Sequence, residues 1–343
     1  MQNISRLGLA VAMIALGGSL AGCGGGGGGA STAQSATPTM AITADNGQQV
    51  AAQAFSGTGT LSQGAAAAAS LKATGATMTG QSSVLGYLAN FAAQQAQSTI
   101  GARSSVVAPI AAKAVNETTT CSGGGSYVVT GNVSDSGQAA VGNTLTATFS
   151  NCNDGTETIN GSFALTLTGL NQSSDGTGGS ASMTMNASNF SVATANSGAS
   201  LNGSLSISVQ IVASNNVAQS EQVNLTSPQM TLTSSNYGSL SILGLNYTLF
   251  NNLTNGTWWF SQDEAVNNNG QVFSVQTTQK FAGAGCAYPS SGSATITGSK
   301  SSEVVTAMSG NQTQLQIDAN GDNAVDASQT VPSSSVFALI CLN

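Results

Sequence analysis

The sequence predicts a mainly β protein, an antiparallel β-meander, sandwich or half-barrel, preceded by an Ala/Gln-rich helical segment and a disordered N-terminal tether. From residue 119 onward, apolar residues recur at every second position with Ser or Thr between them, which is typical of strands with one buried face. Turn clusters such as NDGTE and NSGAS separate these runs, and no long helical stretch intervenes. Consecutive strands without helical crossovers pair antiparallel.

The composition agrees with this fold class and excludes several functions. Hydrophobic residues make up 40% of the chain and charged residues only 6%, so a packed core is feasible and hydroxyl and amide groups must hydrate the surface. The chain contains no histidine, which excludes His-dependent catalytic triads and imidazole metal sites. With six Lys and Arg spread along the sequence, a nucleic-acid surface is not expected. We predict a protein that is not an enzyme.

Residues 1–22 have the pattern of a secretory signal, because one cation, Arg6, precedes a short apolar stretch interrupted by glycine. The stretch ends in Leu20-Ala21-Gly22-Cys23, which resembles the lipobox of bacterial lipoproteins. The resemblance implies that Cys23 receives a diacylglyceryl group, that cleavage precedes it, and that its new amino group is acylated. An ordinary signal peptide that happens to precede a cysteine is the alternative.

Three segments are predicted after the signal. Residues 23–60 consist mainly of Gly, Ala, Ser, Thr and Gln and are predicted to form a flexible tether. Residues 61–118 are rich in Ala and Gln, and helical spacing of apolar residues predicts one amphipathic helix at about 82–98. Residues 119–343 are predicted to form the antiparallel β-domain.

Five cysteines occur, and assigning Cys23 to the lipid leaves an even number for disulfides. If strands 126–134 and 143–151 form a hairpin around SDSGQ, Cys121 and Cys152 lie opposite each other near its open end. We therefore predict a Cys121–Cys152 disulfide and, by elimination, Cys286–Cys341. Spacing alone leaves the other pairings open.

A short acidic loop follows the run TQLQID. The oxygen-bearing side chains of this loop have a spacing that resembles the calcium loops of EF-hands and dockerins. The candidate ligands are Asp318, Asn320, Asp322, the Ala324 carbonyl and Asp326. The sixth position is Asn323 instead of Gly, and Gln329 replaces the usual bidentate carboxylate at the twelfth. A tight turn between strands, without an ion, explains the same residues equally well. Calcium is the one candidate cofactor.

Trp258 and Trp259 are the only tryptophans. On a strand they point to opposite faces, so one of them could form a sugar-stacking platform. Packing of both rings against the protein is the favoured interpretation.

The lipobox, the Ala/Gln-rich segment, TTTCSGGGSYVVTG, INGSF and the ending LQIDANGDNAVDA together resemble uncharacterised proteobacterial surface lipoproteins. The resemblance implies attachment to a membrane through the lipid, in the outer rather than the inner membrane, since Gly24 and not Asp follows Cys23. The leading functional hypothesis is a non-enzymatic structural, adhesive or surface-binding protein. The alternatives are a half-barrel carrier or binder of a lipid or other apolar ligand and a carbohydrate-binding module.

Overall fold

The computed structural model describes residues 36–55, 112–134, 141–153, 158–172, 178–193, 198–214, 217–234, 238–337 and 340. The strands of this part of the chain form one sheet of 14 strands, in which each strand pairs with those before and after it in sequence. Every neighbouring pair is antiparallel. The predicted mainly β fold with an antiparallel meander is confirmed, as one sheet and not a two-sheet sandwich.

The strands shorten toward both ends of the sheet. Those in the middle have 15–18 residues, about 50–60 Å at roughly 3.3 Å per residue. The strands are β1 (Ala112–Thr120), β2 (Ser126–Ser134), β3 (Thr144–Asn153), β4 (Thr158–Gln172), β5 (Gly178–Ala193), β6 (Gly198–Ser214), β7 (Val217–Ser234), β8 (Gly238–Asn252), β9 (Thr257–Asn268), β10 (Gln271–Ala284), β11 (Ser291–Gly298), β12 (Ser301–Met308), β13 (Gln312–Asp318) and β14 (Ala327–Pro332). A short 3-10 helix, Ser333–Ser335, follows β14.

The alternation of apolar and polar residues separates two faces of the sheet. In β5, for example, Met183, Met185 and Ala187 are buried while the residues between them are at least partly exposed. We call the side that carries the buried apolar side chains the inner face and the opposite side the outer face. Burial of one face is the reason that the period-two pattern predicts these strands correctly.

A line of β-bulges crosses the long strands. Asn151 and Asn189 adopt positive φ angles of 48° and 47°, and their N–H groups donate hydrogen bonds to Asn160 Oδ1 at 2.7 Å and Asn202 Oδ1 at 2.6 Å on the next strand. The ladder shifts register beside both residues. The same pattern, Ser-Asn on one strand and Asn-Gly-Ser on the next, therefore occurs twice. Each bulge bends its strand and increases the local twist.

Residues 36–55 correct the predicted extent of the tether, 23–60. Residues 47–55 form a helix, α1, that is buried except at positions 48 and 49. Phe55 contacts the rings of Phe281 and Phe337, with centroids 5.3 and 4.7 Å away, so α1 packs on the inner face. The preceding segment is anchored too, since Met40 N–H donates to the Val272 carbonyl and Ile42 N–H to Ser301 Oγ. Tertiary packing stabilises α1, because nine Ala/Gln-rich residues are too short for a stable isolated helix.

The predicted helical segment, 61–118, is wrong at its C-terminal end, because Ala112–Thr120 forms β1 and pairs with β2 along its whole length. The β-domain therefore begins at residue 112 and not at 119. The predicted helix at about 82–98 lies outside the described residues, as do the signal segment 1–22 and the remainder of the tether.

Candidate functional site

The lipid-attachment candidate, Cys23, lies outside the described residues. The first predicted disulfide is confirmed: Cys121 and Cys152 are bonded, with their Cα atoms 5.3 Å apart. Its geometry differs from the prediction in one detail. Cys121 lies in the turn after β1 and not on the hairpin, and Ser126 pairs with Ser150. The turn folds back, with Cys121 N–H donating to the Gly125 carbonyl, and this brings the two sulfurs together.

The second predicted disulfide, Cys286–Cys341, stays a prediction. Cys286 is disulfide-bonded, and Cys341 lies outside the described residues. A bridge between Ala287 and Ile340 joins the neighbours of both cysteines, which supports this pairing.

The acidic loop between β13 and β14 is held by its own backbone. Asp318 Oδ1 accepts hydrogen bonds from Asn320 N–H and Gly321 N–H, and Oδ2 accepts one from Asn323 N–H at 2.8 Å. Asn323 has a φ of 65°, the conformation that glycine takes at this position of a calcium loop. The carboxylate therefore stabilises a tight turn directly.

The remaining candidate ligands extend this network. Ala324 N–H donates to Asp322 Oδ1, and Asp326 Oδ2 accepts from the Ala319 N–H, both at 2.8 Å. Burial raises the pKa of Asp318, but the backbone hydrogen bonds outweigh this effect, and the pKa is lower than its ordinary value of 3.8. Among the described residues, no three His, Cys, Asp or Glu side chains are grouped to hold a metal ion. The structure supports the turn interpretation, and calcium binding stays a prediction.

The two tryptophans occupy opposite faces of β9, as their adjacency predicts. Trp258 is buried on the inner face and donates its Nε1–H to the Gly285 carbonyl at 3.1 Å. Trp259 is half-buried on the outer face and stacks on Phe250 of β8, with centroids 5.5 Å apart. From the other neighbouring strand, Lys280 places its Nζ 3.4 Å from the Trp259 ring centroid. The Trp259 ring is thus in contact with side chains of both neighbouring strands, which argues against a free sugar-stacking platform.

Polar side chains form aligned rows across the outer face of β4–β9. We call this surface the outer polar face. One row is Thr166, Thr184, Ser206, Thr226 and Asn246, and the next is Ser182, Ser208, Asn224, Thr248 and Ser261. Rows repeat about every 7 Å along the strands and about 4.8 Å across them. Strands β4, β5, β6 and β8 contain no charged residue, so this surface is hydrated almost entirely by neutral groups.

Three glutamates lie on the opposite, inner face. Glu221 of β7, Glu264 of β9 and Glu303 of β12 are 2%, 6% and 0% exposed. Glu264 Oε1 accepts a hydrogen bond from Gln262 Nε2 at 3.0 Å. Among the described residues, Glu264 Oε2 and both carboxyl oxygens of Glu221 and Glu303 have no hydrogen-bond partner. Desolvation by burial raises the pKa of Glu221 to about 7 and those of Glu264 and Glu303 to about 8.

Glu221 has a polar neighbour that is also unsatisfied. It pairs in register with Asn251 of β8, whose side-chain oxygen and nitrogen are buried and have no hydrogen-bond partner in the described part of the chain. Asn251 in turn pairs with Trp258. One group of buried polar side chains on the inner face therefore lies beside Trp258.

The buried glutamates were not predicted from the sequence, although the alternation of residues along their strands indicates them. Glu264 shares its alternate positions with Phe260 and Trp258, and Glu303 shares its own with Val305. Residues two apart on a strand lie on the same face, so a glutamate in phase with apolar residues indicates a buried carboxyl.

Comparison with known proteins finds no match to any family model, any curated protein or any solved structure. Within the described residues, every helix is too short or too polar to cross a membrane.

Proposed function

We propose that the chain is a lipid-anchored protein of the cell envelope, in the outer rather than the inner membrane, with a non-enzymatic structural, adhesive or surface-binding role. The anchor is supported by the sequence Leu20-Ala21-Gly22-Cys23 after a secretory signal. The observation that carries the binding role is the outer polar face, a regular and almost uncharged array of hydroxyl and amide groups on the longest strands.

Such a surface suits a neutral, hydroxyl-rich partner better than a charged one. Its side chains both donate and accept hydrogen bonds, and some bond along the rows, as Thr248 Oγ1 does to Asn224 Oδ1 at 3.0 Å. An uncharged surface provides no electrostatic steering, so we expect binding that depends little on salt.

The anchor is tested by growing cells that express the full chain with labelled palmitate. We expect label and membrane association for the natural sequence and neither for Cys23→Ser. Cys121 and Cys152 are bonded to each other, so label that persists in the Cys23→Ser chain would contradict anchoring at residue 23.

The binding surface is tested with a chain that begins at residue 24. We expect it to co-sediment with isolated envelope polysaccharide, and expect Ser206→Glu combined with Thr226→Glu to reduce the bound fraction about tenfold, because two charges would be desolvated against a neutral partner. Gln314→Glu combined with Gln316→Glu, on the outer side of β13, is the matched control. Equal binding by all three chains would contradict a role for the outer polar face.

The carrier hypothesis is less well supported by the described residues. Phe55 of α1 and Phe337 both pack on Phe281 and occupy the inner face of the last strands. An apolar ligand would have to displace these rings there.

A further inference from the structure

Both ends of α1 lie next to a buried carboxyl group of the sheet. At its C-terminal end, Gln262 Nε2 donates to the Ala54 carbonyl at 2.7 Å and to Glu264 Oε1 at 3.0 Å, which links the helix to that carboxyl. At its N-terminal end, a methyl group on Gly47 would lie 3.1 Å from Glu303 Oε1.

The dimensions of the helix and the sheet match this arrangement. Glu264 pairs with Val275, Val275 with Ile296, and Ile296 with Glu303. The two carboxyl-bearing residues are therefore three strand spacings apart, about 14 Å. A helix over residues 47–55 is about 13 Å long. Hence α1 crosses β9–β12 from one carboxyl to the other.

No cation in the described structure compensates these carboxyls. The helix contains no charged residue. Glu264 Oε2 and both carboxyl oxygens of Glu303 accept no hydrogen bond from any residue that the structure describes. The other titratable groups on the elements packed around them are Asp45 and Lys300, which are exposed in turns, Asp263 and Lys280 on the outer side, Asp318 in its own loop, and the phenol of Tyr247, which pairs in register with Gln262.

We propose that α1 is a pH-dependent lock, which stays docked on β9–β12 while Glu264 and Glu303 are neutral and is released when they ionise. An ionised carboxylate under α1 would be buried without a compensating charge. Undocking of α1 exposes both groups to water and removes this cost without unfolding the sheet. Release would also free residues 47–55 from their contacts with the sheet.

The direction of the pH dependence follows from the raised pKa values. For Glu264, desolvation raises the pKa, the hydrogen bond from Gln262 lowers it and the charge of Asp263 raises it, with a result of about 8. Desolvation alone raises the pKa of Glu303 to about 8. The docked state therefore holds protons that the undocked state gives up. Docking is strongest below the ordinary pKa of 4.5 and weakens as the pH rises through about 8.

Hydrogen exchange of the full chain, followed by mass spectrometry, measures the lock. Labelling times at pH 6 and pH 9 are matched to the chemical exchange rate of a free amide. We expect protection of residues 47–55 to fall by about tenfold or more between the two values, and protection of β5–β7 to change by less than about twofold. Equal protection of 47–55 at both pH values would overturn the proposal, whatever the variants do.

Variants distinguish the titration of Glu264 and Glu303 from a general loosening of the fold at high pH. In Glu264→Gln/Glu303→Gln, protection of residues 47–55 should no longer depend on pH, while Glu221→Gln, which removes a buried carboxyl from β7, should behave like the natural chain. Gly47→Ala should lower protection at both pH values, since the added methyl would lie 2.5 Å from Ile317 Cδ1. An unchanged pH dependence in the double Gln variant would refute the assignment to Glu264 and Glu303.

Discussion

Gly203, at a bulge of β6, provides the sharpest test of the sheet geometry. Its φ is +132°, and a Cβ there would lie 2.8 Å from Met230 Cα and 3.0 Å from the Gln229 carbonyl oxygen of β7. Gly256 is the matched control, because its φ is also positive, at +69°, but a Cβ would have no neighbour within 4 Å. Both Gly→Ala variants carry a conformational cost, whereas only the one at Gly203 forces two strands apart.

The difference between the two variants can be estimated. A positive φ costs a non-glycine residue about 1–2 kcal/mol in the left-handed region, and this is the whole expected loss for Gly256→Ala. For Gly203→Ala, displacement of β7 by a few tenths of an ångström weakens one or two ladder hydrogen bonds of about 1 kcal/mol each. It also disturbs Met230, which is 2% exposed. We expect a total loss of about 3–5 kcal/mol in the free energy of unfolding.

Urea unfolding followed by circular dichroism measures both variants against the natural chain, with the midpoint compared at constant m-value. The same loss in both variants, within about 0.5 kcal/mol, would refute the close approach of β6 and β7 at this bulge. An m-value change confined to Gly203→Ala would indicate that the ladder opens locally before the sheet unfolds.

Three further predictions use the same unfolding assay. Replacing Cys121 and Cys152 together by Ala should lower stability by about 3–4 kcal/mol through loss of the loop constraint; no loss would mean that the bond does not constrain the unfolded chain. Phe55→Ala should cost about 3 kcal/mol, while Gln48→Ala, exposed on the same helix, should cost less than about 0.5 kcal/mol; equal losses would contradict the packing of α1. The lowered pKa of Asp318 means that its ionised form stabilises the fold above the ordinary pKa and that this contribution disappears as the pH falls through the folded-state pKa. The Asp318→Asn variant should therefore be less stable than the natural chain at pH 7 and equal to it in strong acid. The turn interpretation predicts that added calcium leaves the Tm of the natural chain unchanged, whereas the calcium hypothesis predicts a rise that Asp318→Asn abolishes.

The site residues divide according to whether local chemistry or distant packing positions them. The turn at Asp318 and the opposite orientation of Trp258 and Trp259 were predictable, because both depend on neighbours within a few positions of the chain. The contacts of Phe250 and Lys280 with the Trp259 ring could not be predicted, because those two residues come from two other strands. Which carboxyls α1 meets likewise depends on pairings across β9–β12.

By itself, the sequence determined the strands from β2 onward and their antiparallel order, because a period-two pattern with turn residues between the runs has few other solutions. It favoured the Cys121–Cys152 bond over the other pairings, and it missed β1, most of which lies in the segment predicted to be helical. Tertiary structure alone decided that residues 47–55 are a buried helix and not part of a tether. The physical reason is that Gly, Ala and Gln have no strong local preference in so short a segment, and only the apolar inner face of β9–β13 gives Phe55 and Val50 a place to be buried. The same packing buries Glu264 and Glu303 away from every described cation, and so makes these two acidic residues the basis of the proposed lock.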